Sequence, residues 1–127
     1  MSCFCGLPAS FETCCDRYIS GDEVPPTAEA LMRSRYSAYV TGAVPYIVQT
    51  THPSKRASID MPDIYEWLLE ITSWDGLDVQ STHQGLESDD VGTVKFVAHF
   101  HENHEPQVIQ ENSKFVKVNG FWMYYPS

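Results

Sequence analysis

All four cysteines of this 127-residue chain fall within its first fifteen positions, as Cys3-Phe4-Cys5, eight residues, then Cys14-Cys15. No other feature limits the fold as tightly. Four thiolates on one ion form a structural zinc site, tetrahedral with Zn–S distances of about 2.3 Å. The chain must turn back on itself between the pairs; Gly6 and Pro8 supply turn chemistry, and Phe11 to Arg17 reads as a short helix. Disulfides are the competing reading, with three connectivities open to four cysteines. Against them, the vicinal Cys14 and Cys15 are strained partners, and residues 1–20 have neither the basic start nor the apolar core of an export signal. The Cys-x-x-Cys redox spacing is absent. Zinc is the predicted cofactor, with Cys3, Cys5, Cys14 and Cys15 as ligands. So small an element takes most of its folding energy from the metal, so the rest of the chain is expected to fold independently.

The same residues resemble a known element. Cys3-Phe4-Cys5-Gly6 followed by Cys14-Cys15 is similar to the SEC-C motif, a zinc knuckle of the form Cys-x-Cys-x8-Cys-Cys, and the four metal positions match residue for residue.

Length allows one domain plus a small appendage. Hydrophobic residues make up 43% and aromatic residues 13%, enough for a core. The net charge of −9 is spread along the chain. It argues against nonspecific nucleic-acid binding, which depends on cations meeting phosphates, and against a peripheral membrane role. No apolar run approaches a membrane span. Metal-type cysteines without an export signal make the cytoplasm the expected compartment.

Two parts are predicted: a knuckle over residues 1–20 and a domain over 25–127, joined through Gly21 to Pro26. Thr27 is a helix N-cap, and the helix runs to about Val40 and stops at Gly42. Its apolar positions Ala28, Leu31, Met32, Tyr36 and Tyr39 recur at helical spacing. A second short helix starts at Pro45 and covers Tyr46 to Thr51. A third begins near Asp60, carries Ile64, Trp67, Leu68, Ile71 and Trp74 on one face, and closes at Asp75-Gly76. From Leu77 the period becomes two. Strands are predicted around Leu77 to His83 and Thr93 to Phe100, then, beyond a loop over 102–106, at Val108 to Val118. Asn119-Gly120 turns the chain into a fourth strand, Phe121 to Tyr125. Helices first and a meandering sheet last define an α+β fold. Three helices across a curved antiparallel sheet leave a conical hollow, the shape of the nuclear-transport-factor-2-like (NTF2-like, cystatin-like) fold.

A second resemblance covers almost the whole chain. The knuckle, the string from Pro26 to Tyr39, Thr51-His52-Pro53, Glu111-x-Ser113-x-Phe115 and Gly120-x-Trp122-x-Tyr124 together resemble the YchJ-like family of bacterial proteins. The resemblance implies an NTF2-like domain with a zinc knuckle, and no particular reaction.

Candidate pocket residues are Arg35, Tyr36, Tyr39, His52, Glu111, Trp122 and Tyr124. Residues 32, 35, 36 and 39 share one side of the first helix, so Arg35, Tyr36 and Tyr39 are expected to face the hollow. A buried guanidinium needs a partner: either a structural tie to Glu111 or the backbone, or an anionic ligand. His52 can act as a general base near neutral pH or cap carbonyls. Trp67, Trp74, Phe115, Trp122 and Tyr124 form core or line the pocket. His99, His101 and His104, beside Glu102, have the residue types of a second metal site or of an ordinary hairpin tip. The leading functional reading is a zinc-binding cytoplasmic protein that binds a ligand in its cone or a protein partner through a knuckle exposing Phe4, Leu7 and Phe11. No residue is assigned as catalytic in it. The alternative is a small hydrolase or isomerase using His52 or Glu111 with Arg35 as anion stabiliser. An open pocket with a free lone pair on His52 or Glu111 favours the enzyme; a cone plugged by Trp and Tyr favours the binding module.

Overall fold

Thr27 accepts a hydrogen bond from the Ala30 amide at 3.0 Å and so starts the helix that organises the molecule. A computed structural model describes residues 2–126. After a single 3-10 turn (Phe11–Thr13) come helices α1 (Asp16–Ile19), α2 (Ala28–Thr41) and α3 (Val44–Gln49), a second 3-10 segment (Pro53–Ser58) and α4 (Met61–Glu70). Strands β1 (Ile71–Gln84), β2 (Val91–Glu102), β3 (Glu105–Val118) and β4 (Phe121–Tyr125) follow. Helix α2 ends at Gly42, whose φ of 77° is the left-handed conformation that a Cβ disfavours. Packed on several sides, α2 buries Ser34, Ser37 and Ala38 completely as well as its apolar stripe.

The sheet is an antiparallel meander in the order β1-β2-β3-β4. Asn119 and Gly120 both have positive φ, 53° and 84°, as a type I′ hairpin requires. Asn103 and His104 do the same at 50° and 68°, so the expected loop over 102–106 shrinks to two residues and β3 starts at Glu105. The concave face carries Trp74, Leu77 and Val79 from β1, then Val94, Phe96, Ala98 and Phe100 from β2. Phe115 and Trp122 complete it, against Leu31, Met32, Tyr36 and Ile47 of the helices. The α+β architecture and its NTF2-like cone are therefore present.

One expectation is corrected. Helix α4 starts as predicted, with Asp60 accepting from the Asp63 amide at 3.1 Å, but stops at Glu70 rather than near Trp74. Ile71 is already extended and pairs with Glu102, and Trp74 pairs with Phe100. Register shifts between Ile71 and Ser73 and between Trp74 and Gly76 break the alternation of β1. A bulged strand start thus imitates helical spacing. The knuckle segment also contacts the cone. Tyr18, from the knuckle segment, sits in the same buried cluster as Ala28, Leu31 and Trp122. Arg33 of α2 donates from Nη1 to the Cys5 carbonyl at 2.6 Å. The knuckle is fastened to the cone rather than tethered beside it.

Candidate functional site

The knuckle is built locally. The Gly6 amide donates to the Cys3 carbonyl and the Cys3 amide to the Leu7 carbonyl, both at 3.1 Å, closing the first turn. The 3-10 turn and the start of α1 then deliver Cys14 and Cys15. The four Sγ atoms lie within 4.8 Å of one another, and all four cysteines are buried and unbridged. Cys5 and Cys14 sulfurs are 3.7 Å apart, far beyond a disulfide bond of about 2.05 Å. A tetrahedron of sulfurs about 2.3 Å from a central ion has edges of about 3.8 Å, so the donor set fits such an ion. Phe11, Ile19 and Leu77 pack around it, and Ser37 Oγ lies 3.7 Å from the Cys3 sulfur.

The thiols act strongly on one another. Hydrogen bonding from Cys15 outweighs burial, which acts upward, and lowers Cys5 to about 5. Burial and the charge on Cys5 push Cys14 up to about 12. The hydrogen bond to Cys5, with burial, raises Cys15. One thiolate is favoured and it opposes the next; a bound cation reverses that opposition and lets all four ionise.

The second feature is the hollow of the cone, a cavity of about 210 Å3. Arg35, Tyr36, Tyr39, Glu111 and Tyr124 line it together with Trp67, Trp74 and Ser113. Tyr39, Trp67, Trp74 and Phe100 meet largely edge to face, with centroids 5.4–6.1 Å apart along the chain of rings. The aromatic side chains wall the hollow and leave it open.

Arg35 is 7% exposed. Its Nη1 donates to the Ile47 carbonyl at 2.9 Å, Thr50 Oγ1 at 2.7 Å and Thr51 Oγ1 at 3.3 Å. Its guanidinium carbon stands 4.6 Å from the Tyr124 ring centroid, a cation–π contact. Burial pushes Arg35 below the ordinary guanidinium value, yet a guanidinium stays charged in proteins. Among the described residues no carboxylate is within ion-pair distance of it. The expected Arg35–Glu111 tie is therefore corrected: a carbonyl, two hydroxyls and a ring face hold the arginine. Glu111 Oε2 instead accepts from Ser113 and, at 3.3 Å, from the Tyr124 hydroxyl. Burial, then the Glu111 charge, raises Tyr124 and keeps it a neutral donor.

His52 and Trp122 do not line the cavity. His52 caps the 3-10 segment, accepting the Ser54 amide on Nδ1 at 3.1 Å, and lies against Tyr125. The expected place in the pocket is corrected: the chain there runs along the outer edge of β4, where the His52 amide donates to the Tyr124 carbonyl. Trp122 is buried core, donating its indole N–H to the Pro26 carbonyl at 3.2 Å. His99, His101 and His104 form no converging donor set among the described residues; His101 Nδ1 is 2.5 Å from Asp75 Oδ2. Thr50 and Thr51 were not anticipated as Arg35 partners, and no local pattern marks them. Ser113 carried a usable signal, since residues two apart on a strand share a face and it follows Glu111 by two.

A cysteine knuckle fastened to an aromatic-walled NTF2-like cone defines the class: a SEC-C motif protein with an NTF2-like domain. The family model described as "YchJ, middle NTF2-like domain" matches residues 27–127, and the chain belongs to that family. It is 38% identical over 122 residues to a UPF0225 protein of Geobacter sulfurreducens, covering 96% of this chain and 75% of that protein. To a UPF0225 protein of Actinobacillus succinogenes it is 40% identical over 125 residues, covering 98% and 80%. The solution structure of a SEC-C motif containing protein from Rhodopseudomonas palustris superposes with a TM-score of 0.89 at 32% identity, covering 99% of this chain and 96% of that one. The crystal structure of a SEC-C motif containing protein from Psychrobacter arcticus gives 0.83 at 31%, covering 99% and 81%. No helix among the described residues is long and apolar enough to cross a membrane.

Proposed function

We propose that this protein is a zinc-stabilised small-molecule-binding module of a reducing compartment, the cytoplasm, whose ligand sits in the cone. The observation that carries the reading is an aromatic-walled cavity in which Arg35 is buried among neutral partners and from which His52 is absent. Binding pockets combine apolar walls with a few convergent polar groups, and this hollow has both. An all-thiolate tetrahedral set selects zinc over hard cations. Bound there, zinc supplies folding energy and no reaction, because four protein ligands leave no open position. Phe4 and Leu7, 47% and 37% exposed beside the partly buried Phe11, make the knuckle a docking surface for a protein partner. Two measurements test the reading. Elemental analysis under reducing conditions is expected to find one zinc per chain, and a chain without zinc would remove the metal half. NMR screening with single-ring fragments is expected to shift the indole signals of Trp67 and Trp74; a cone that binds no fragment at millimolar concentration would remove the ligand half. For docking, a Phe4→Ala, Leu7→Ala variant that keeps its zinc is expected to lose any partner that wild type retains.

The openness of the hollow and a free lone pair on Glu111 favour the enzyme alternative. Glu111 Oε1 has no protein hydrogen bond among the described residues, and Glu111 shares the cavity with Arg35 without touching it. A carboxylate facing a cation across a gap can take a proton while the cation stabilises the resulting oxyanion. His52 takes no part in this version. Turnover of a carbonyl compound abolished by Glu111→Gln, with fragment binding intact, would decide for it.

A further inference from the structure

We propose that the ligand of the cone is a small ring-bearing carboxylic acid, with its carboxylate on the free side of the Arg35 guanidinium and a hydrogen-bond donor on the ring directed to Glu111. This deepens the binding reading above and rests on it.

The argument starts from Arg35. Its three hydrogen bonds all leave from Nη1. Nε and Nη2 have no protein partner among the described residues. Yet no sealed side-chain nitrogen or oxygen among those residues lacks a partner. Both nitrogens therefore keep some accessible surface, and the cavity is the space that Arg35 lines. A guanidinium edge with two parallel N–H groups matches the two oxygens of a carboxylate. The Tyr124 ring, 4.6 Å from the guanidinium carbon, and the three bonds of Nη1 hold the fork in place, so little side-chain freedom is lost on binding. An unpaired buried cation is costly, and an arriving anion relieves that cost.

The cavity limits the rest of the ligand. An apolar cavity of about 150 Å3 takes up benzene; this one, at about 210 Å3, holds one ring with a compact polar substituent. Trp67 and Trp74, 5.8 Å apart and nearly perpendicular, offer a face and an edge to that ring. Glu111 sets the sign at another point of the wall, beyond the Tyr124 ring that Arg35 meets. Its Oε2 is taken by Ser113 and Tyr124, leaving Oε1 to accept. A donor on the ligand is welcomed there, and a second negative group is repelled. The same repulsion, with a net charge of −9, selects a monoanion over a phosphate dianion.

The test uses the zinc-loaded full chain and three probes: 4-hydroxybenzoate, its neutral isostere 4-hydroxybenzamide, and benzoate. Affinities come from amide and indole NMR shifts. The acid is expected to bind about tenfold or more tightly than the amide, the difference one charge-assisted hydrogen-bonded contact makes. Benzoate is expected to fall between them. Arg35→Met is expected to remove the preference for acid over amide, and Glu111→Gln to weaken the hydroxy acid toward benzoate. Equal binding of acid and amide would overturn the acid assignment while leaving the cone a binding site. Binding of neither would overturn both readings. Because the wild-type comparison alone decides, an Arg35→Met chain that fails to fold leaves the test intact.

Discussion

Stripping the metal asks whether knuckle and cone unfold as one unit. The segment 2–20 gives the core one aromatic ring, Tyr18, 8% exposed and packed in the cluster with Leu31 and Trp122. It also gives α2 the Cys5 carbonyl that Arg33 holds at 2.6 Å. Burying an aromatic side chain is worth about 2 kcal/mol, and a hydrogen bond from a charged donor about 1.5 kcal/mol. Without the metal that supplies most of the knuckle's folding energy, residues 2–20 let go and both contributions go with them. About 3.5 kcal/mol is a large part of a domain stability of about 5–15 kcal/mol. At about 4–8 °C per kcal/mol for a domain near this size, the melting midpoint of the sheet should fall by roughly 14–28 °C. The assay is thermal unfolding followed by far-ultraviolet circular dichroism, in reducing buffer with and without excess chelator. Amide spectra at room temperature would accompany it. An unchanged sheet midpoint, with signals lost only from residues 2–20, would refute the reasoning and uphold the independent-unit expectation.

Three further outcomes can be checked. Tyr46, bonded to Ser34 at 2.7 Å, is pushed up to about 12 by burial. A raised phenol contributes stability that is complete below its unfolded value near 10 and is lost as pH climbs through 12. Urea midpoints should therefore drop between pH 10 and 12, and Tyr46→Phe should flatten that drop; equal alkaline sensitivity in the variant would contradict the assignment. Gly85→Ala should destabilise by about 1–3 kcal/mol, because φ is +79° and the new Cβ would sit 2.7 Å from the Ala28 Cβ; a midpoint within error of wild type would contradict the close approach. Ser37→Ala should leave the fold intact but weaken metal retention against a competing chelator by about tenfold, since its hydroxyl lies beside the Cys3 sulfur; undiminished retention would show that the hydroxyl does not support the ligand.

Features encoded in a few consecutive residues were legible in the chain. The cysteine spacing, the caps Thr27 and Asp60, the stop at Gly42 and the Asn119-Gly120 turn each depend on neighbours within about four positions. Helical spacing likewise put Arg35, Tyr36 and Tyr39 on one side of α2, the side that lines the cavity. Other outcomes depended on contacts between distant segments. The end of α4 was decided by pairing with β2, thirty residues away, which gave Ile71 and Trp74 cross-strand partners in place of a last helical turn. The partner of Arg35 was decided by where α3 ends, since Ile47, Thr50 and Thr51 come within reach before Glu111 does. The path of residues 50–52 along β4 carried His52 out of the hollow. Tyr18 could not be recognised as core from its own neighbourhood, because the cluster that buries it is assembled from α2, α3 and the sheet. Spacing sets which face of an element a residue occupies; only the packed structure sets what that face meets.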